Sequence, residues 1–248
     1  MFHPDLRLQL ARERQRDDMA LAASHRLARE VRPHRATCDP SDMRIPHGVI
    51  RRALADPLQV LGRVAPGDLP AARRSALYYS TILELLHLHD TAEDAVLWPQ
   101  LRLRVPGSAS LLTRMEVQHV SIDVAAGSAR IALLAYLHTP DLGSTSRLAM
   151  ALTHLGRVAE PHLREEEAQL LPVAAVNMAQ GEWDEMPRNA MRRYSGEHPW
   201  LVAGLMAEQM TDERRAKSVM STTPPALRRA WGTAGSRDYT RFMAAIRG

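Results

Sequence analysis

One local pattern is written twice in this chain, and it restricts the fold more than any bulk property does. Residues 89–99 read His-Asp-Thr-Ala-Glu-Asp-Ala-Val-Leu-Trp-Pro, and residues 162–172 read His-Leu-Arg-Glu-Glu-Glu-Ala-Gln-Leu-Leu-Pro. Both begin His-x-x-x-Glu, add an acid, and finish with Leu, a large apolar residue and Pro. A single His in a similar setting precedes each copy: His47-Gly-Val-Ile50 lies 42 residues before His89, and His119-Val-Ser-Ile122 lies 43 before His162. On a helix, His and Glu four residues apart project from one face, one turn from each other. Two such pairs and two single His supply four imidazoles and two carboxylates. That donor set suits a borderline transition metal and exceeds what one ion needs. The repeat predicts a two-metal site between four helices.

The punctuation of the chain agrees. Residues 46–64 read as a first helix bent at Pro57. Residues 69–98 form a second, with no internal Pro or Gly, closing at Pro99. A third covers 108–138, and a fourth covers 145–171, kinked at Pro161 and closed by Pro172. Ser41 or Asp42 is placed to cap the first helix. No stretch of alternating β-branched residues competes, so the expected fold is all-α: an up-down-up-down four-helix bundle. In that topology the single His, near the starts of helices one and three, and the His/Glu pairs, near the ends of helices two and four, fall at one end of the bundle. Residues 1–40 read as a helical arm and linker, 41–180 as the metal-binding bundle, and 181–248 as a helical extension of packing or interface role.

At 248 residues with 45% apolar content there is ample material for a packed core, and aromatics at 4% direct it towards Leu, Ala, Val and Met. The amino terminus lacks the apolar core of a secretory signal and no uninterrupted apolar run reaches 18 residues. A cytoplasmic protein without a membrane partner is the expectation. Cys38 is alone and reads as an incidental thiol. The net charge of +4 is spread as +2 over residues 1–40, −1 over 41–180 and +3 over 181–248, with no reading motif, so no nucleic-acid partner is expected.

The expected ligands are His47, His89, Glu93, His119, His162 and Glu166. Each metal takes one single His and one paired His, and the two Glu bridge. Two ions with open positions for a bridging oxygen and an outside ligand suit iron better than manganese or a closed zinc site. Asp123, four residues after His119, is expected on the face of the site as a ligand or supporting acceptor, and Glu116 as a possible orienting group. Asp94, Glu165 and Glu167 lie about 100° off the ligand face and are expected to face solvent. Tyr78 reads as a core residue.

These motifs resemble the hemerythrin family, in its bacterial branch with the His-His-Glu (HHE) cation-binding domain. His-x-x-Ile, His-x-x-x-Glu-Asp-x-x-Leu-Trp-Pro, the mid-chain His and His-Leu-x-x-Glu-Glu-x-x-Leu-Leu-Pro match in order over residues 44–180. Gly-Glu-Trp at 181–183 and the Arg-Ala-Trp tail are similar to extended actinobacterial members. The resemblance implies a four-helix bundle with a non-haem di-iron centre, oxo- or hydroxo-bridged, that meets O2, peroxide or NO. The chain departs from the oxygen-carrying invertebrate pattern at Asp123, where a fifth His is expected, and at Glu166, where an Asp one residue further on is expected. Reversible O2 carriage is therefore the less favoured activity. If enzymatic, the protein would consume peroxide, O2 or NO. The alternative is an iron- or oxygen-responsive sensor or interaction module in which occupancy of the centre orders the bundle.

Overall fold

A computed structural model of the protein describes residues 37–194, 196–210, 228–229 and 231–248. Of the expected arm and linker over residues 1–40, residues 1–36 lie outside them. No strand occurs among the described residues.

Four helical legs form the bundle. The first is α1 (Arg44–Ala55), followed by the short α2 (Pro57–Leu61). The Pro57 ring disfavours a helical conformation at Asp56, which sits at φ −147°, ψ 80° and accepts a hydrogen bond from the Gln59 amide. The expected bent helix is thus two helices. Neither Ser41 nor Asp42 caps α1, whose N-cap residue, Met43, makes no side-chain cap. Asp39 instead caps a 3₁₀ turn over Pro40–Met43, and Asp42 is buried, accepting from the Trp183 indole at 2.9 Å.

The second leg, α3 (Leu69–Ala92), starts under the Asp68 carboxylate, which accepts from the Ala71 amide at 3.0 Å. It does not close at Pro99. A π-helical turn over Glu93–Leu97 leads into α4 (Trp98–Arg104). The fourth leg repeats this design: α6 (Leu142–Glu165), with a capping box between Asp141 and Ser144, passes through a π-helical turn over Glu166–Leu170 into α7 (Leu171–Asn177). Pro99 and Pro172 each occupy the second position of a new helical segment, where a missing amide costs no intrahelical bond, so neither stops the chain. Between these legs runs α5 (Ala109–His138).

The extension supplies α8 (Gln180–Trp183), α9 (Glu185–Arg193), α10 (Pro199–Gln209), a π-helical turn over Trp231–Gly235, and α11 (Ser236–Arg247). It shares the core of the bundle instead of building its own. Leu201, Leu205, Tyr239, Met243 and Ile246 pack in one cluster with Tyr79, Ile82, Leu86, Leu152 and Leu155. Helices α9 and α10 lie against α3, which is consequently buried on most sides. A second cluster, around Leu97, Trp98, Leu170, Leu171 and Trp183, closes the other end of the molecule. Arg104 ties that end together with a two-pronged bond to Glu182 at 2.6 and 2.8 Å. Tyr78 is a core residue, as its position in the sequence suggests.

One helical stretch, Pro106–His138, is long and apolar enough to cross a membrane. An 18-residue window of it meets that standard although no uninterrupted apolar run exists. Its inner face packs into the bundle through Leu112, Met115, Ile122, Ala126 and Leu133.

Candidate metal centre

His47 on α1, His89 and Glu93 at the end of α3, His119 on α5, and His162 and Glu166 at the end of α6 converge between the legs, none more than 7% exposed. Their atoms fall into two groups, each with donor atoms within 4.8 Å of one another: His47, His89, Glu93 and Glu166, and then Asp90, Glu93, His119 and His162. His47 and His89 approach through their Nε2 atoms at 3.1 Å, and His119 and His162 through theirs at 3.2 Å. Glu93 lies 3.1 Å from His89 Nε2 and 3.3 Å from His119 Nε2, and Glu166 lies 3.1 Å from His47 Nε2. The expected pairing of one single His with one paired His is the pairing the fold produces. The two Glu are not equivalent, however. Glu93 alone belongs to both groups, because Asp90 takes the corresponding place in the second.

The outer nitrogens of His47, His119 and His162 are braced. His47 Nδ1 meets Glu167 at 2.7 Å, and Glu167 is held in turn by Arg51 at 2.6 Å. His119 Nδ1 meets Asp94 at 2.9 Å. His162 Nδ1 meets Gln118 Oε1 at 3.1 Å, and the amide of Gln118 donates to Glu165, itself paired with Arg114. Such contacts hold a proton on Nδ1, so that each ring, when neutral, presents the Nε2 lone pair inward, the arrangement of metal-ligating imidazoles.

Asp94 is half exposed, as expected, and Glu165 and Glu167 are partly so, but each also turns an oxygen to these inward contacts. Asp94 and Glu167 each directly follow the Glu that opens a π turn, and each reaches across to the facing single His. Asp123 is a correction in the other direction: its side chain is 69% exposed and lies 3.6 Å from Arg130, outside both groups. Four residues overshoot a full turn by about 40°, enough to carry this position off the inner face. Glu116 also fails to orient an imidazole, since it pairs with Arg102 at 2.6 Å near the surface. Asp90 was missed. It neighbours His89, about 100° round the helix, and a one-sided picture of α3 puts it outside. It is only 8% exposed, since α3 has neighbours on most sides.

The charges in this cluster are out of balance. Burial alone would lower His47, but Glu166 and Glu167 outweigh it and hold the imidazole up at about 9. His119 is raised to about 11 against its burial by Asp94 and Glu93. Burial and the neighbouring imidazoles push His89 far down, and burial with His119 brings His162 to about 4. Burial raises Asp90 to about 7. Burial and the facing Glu166 raise Glu93 strongly, whereas His47 keeps Glu166 low despite its burial. None of the four carboxylate oxygens of Glu93 and Glu166 has an aligned hydrogen-bond partner, nor has Asp90 Oδ1. Buried acceptors left in this state cost about 1–3 kcal/mol each, more when charged. Inward nitrogen lone pairs 3.1 Å apart also repel unless a proton or cation lies between them. The donor set fits cations in both groups.

The match to known proteins follows the same residues. The hemerythrin HHE cation binding domain matches residues 40–174, more than half of the chain, and the chain belongs to that family. No curated protein and no solved structure matches the chain.

Proposed function

We propose that the protein holds two iron ions and uses them to bind or react with a small oxidant, O2, peroxide or NO. One group of His47, His89, Glu93 and Glu166 takes the first ion, and one of Asp90, Glu93, His119 and His162 takes the second. The observation that carries this reading is the pair of overlapping buried donor groups with orphaned carboxylate oxygens. Two imidazoles and two carboxylates in each group are the mixed nitrogen–oxygen set that iron accepts. Bound iron would supply redox chemistry and an affinity for small oxidants. The chain's own residues fix the imidazoles through Glu167, Asp94 and Gln118, share Glu93 between the groups, and bury the whole against bulk water.

With two carboxylates in each group, the donor set is anionic, which favours the ferric over the ferrous state. That weighs against reversible oxygen carriage and towards consumption of the oxidant. The test is metal analysis and an absorption spectrum of the aerobically purified full chain, followed by stopped-flow mixing of the reduced protein with O2. Two irons per chain, near-ultraviolet charge-transfer bands and irreversible oxidation are expected. One metal per chain, or zinc, would overturn the two-iron reading. A long-lived product reversed by removing oxygen would overturn the consumption reading alone.

A further inference from the structure

The extension does more than cover α3. Between it, the start of α1 and the carboxyl end of α3 lies a cavity of about 250 Å³. Five methionines line it, Met43, Met186, Met191, Met206 and Met210, and the donor residues His89 and Glu93 also reach its wall. Among the polar groups there, Asp42 and the Trp183 indole satisfy each other at 2.9 Å, so the surface offered to an occupant is predominantly apolar. A dry apolar cavity of about 150 Å³ already binds benzene. A diatomic ligand needs no such room. Methionine walls are flexible and polarisable, and they adapt to occupants of varied shape.

The geometry points to a binding chamber for a small neutral organic molecule, a monocyclic aromatic or short alkyl compound, held against the His89–Glu93 side of the metal centre. Its position beside a reactive group rests on the di-iron reading, but its capacity to bind does not. Fluorobenzene is the probe, titrated into the full chain with and without metal and followed by fluorine NMR. Saturable binding with a dissociation constant below about 1 mM is expected in both forms, the range of a small apolar ligand. Bromobenzene should quench tryptophan emission from Trp183 and Trp231 with the same saturation. Ala203→Phe and Ala190→Phe fill the chamber from two walls, and each should weaken binding at least tenfold with its helical circular dichroism kept. In the iron-loaded chain, fluorobenzene should shift the visible spectrum. Non-saturable quenching in the unmodified protein, or unchanged affinity in a folded filled variant, would overturn the chamber. Binding without a spectral shift would overturn its placement at the centre. Loss of iron alone leaves the metal-free titration to decide.

A second, independent observation concerns the outer face of α5. Val117, Val120, Val124, Ile131 and Leu134 are 61–72% exposed. They fall at the a and d positions of a seven-residue repeat, with Gly127 at the central d position and nothing within 4 Å of where its Cβ would stand. Such spacing matches a facing helix. Antiparallel pairing with a second α5 about a two-fold axis sets Val124 over Gly127, Ile131 over Val120 and Val117 over Leu134. The same register sets the Asp123–Arg130 pair of each copy, 3.6 Å apart within one chain, against that of the other with opposite charges facing. A parallel pairing has neither match, since each of these charges would meet a Ser or an Ala.

We infer that this chain forms an antiparallel homodimer through α5. Sedimentation of the full chain should give twice the monomer mass of 27.7 kDa at micromolar concentration, and Val124→Glu with Ile131→Glu should give a folded monomer. Asp123→Arg or Arg130→Asp alone should weaken association at least tenfold, while the two together restore it. A monomeric parent would overturn the dimer, including one whose stripe is covered by residues 1–36 or that binds lipid vesicles. A dimer indifferent to the double glutamate variant would do so as well. Failure of the charge exchange to restore association would overturn the register.

Discussion

Glu93 and Asp90 carry the sharpest expectations at the scale of single residues. Glu93 belongs to both donor groups and Glu166 to one. Glu93→Ala should strip both metals, whereas Glu166→Ala should leave about one per chain, as read by metal analysis. The stability lost should appear only in the metal-loaded protein, because binding energy is folding energy in such sites and the metal-free Glu93 is itself a buried, unsatisfied acid. Asp90→Asn should lower occupancy of the second group, while Asp123→Ala should leave metal content unchanged. Equal effects of those two substitutions would contradict the second donor group. The sequence made the six His and Glu positions legible because donor type and spacing were both duplicated. It hid Asp90 and misdirected attention to Asp123 because helical spacing gives angles, and only packing decides which angles are inside. The contacts of Asp94 and Glu167 were hidden for a related cause: which group a partly exposed acid meets is decided by the facing helix and not by its own angle.

At the scale of elements, the legs were legible from Pro, Gly and capping residues, but their ends were not. Pro99 and Pro172 looked like stops, and the extra residue in each π turn turned them into starts. Close approach of α6 to α1 depends on Gly156, where an added Cβ would meet Leu54 Cβ at 3.1 Å and its carbonyl oxygen at 3.2 Å. Gly156→Val should destabilise the fold by about 2 kcal/mol through overpacking, measurable by chemical denaturation. The tie between α4 and α8 should respond to acid. Arg104 holds the Glu182 carboxyl below its usual range, so this bond stabilises the fold above the ordinary carboxylate value and is lost as pH falls through the lowered one. The difference in Tm between the parent and Glu182→Gln should therefore shrink on going from neutral pH to about pH 3. A constant difference would mean that Glu182 acts only by packing.

At the scale of the whole molecule, the described bundle has its donors on four legs and its covering on the extension. Removing residues 1–36 should leave metal content and helicity per residue unchanged. An apo or unfolded product would make that segment part of the core. The extension's depth in the core was not legible, because its apolar positions look alike whether they pack on the bundle or on another chain. The bracing of the imidazoles has a further meaning for how the two repeats depend on each other. Each repeat carries its own pair of imidazoles, yet the acid steadying His47 comes from the second repeat and the acid steadying His119 from the first. The halves are cross-laced: each lends the other a fingertip. A single repeat made alone would keep its nitrogens and lose both its splint, worth about 10–100-fold in metal affinity, and the carboxylates it borrows, Glu166 for the first group and Asp90 with Glu93 for the second. Mixing the two separately made halves should restore tight binding, since only their union returns each borrowed acid to its imidazole.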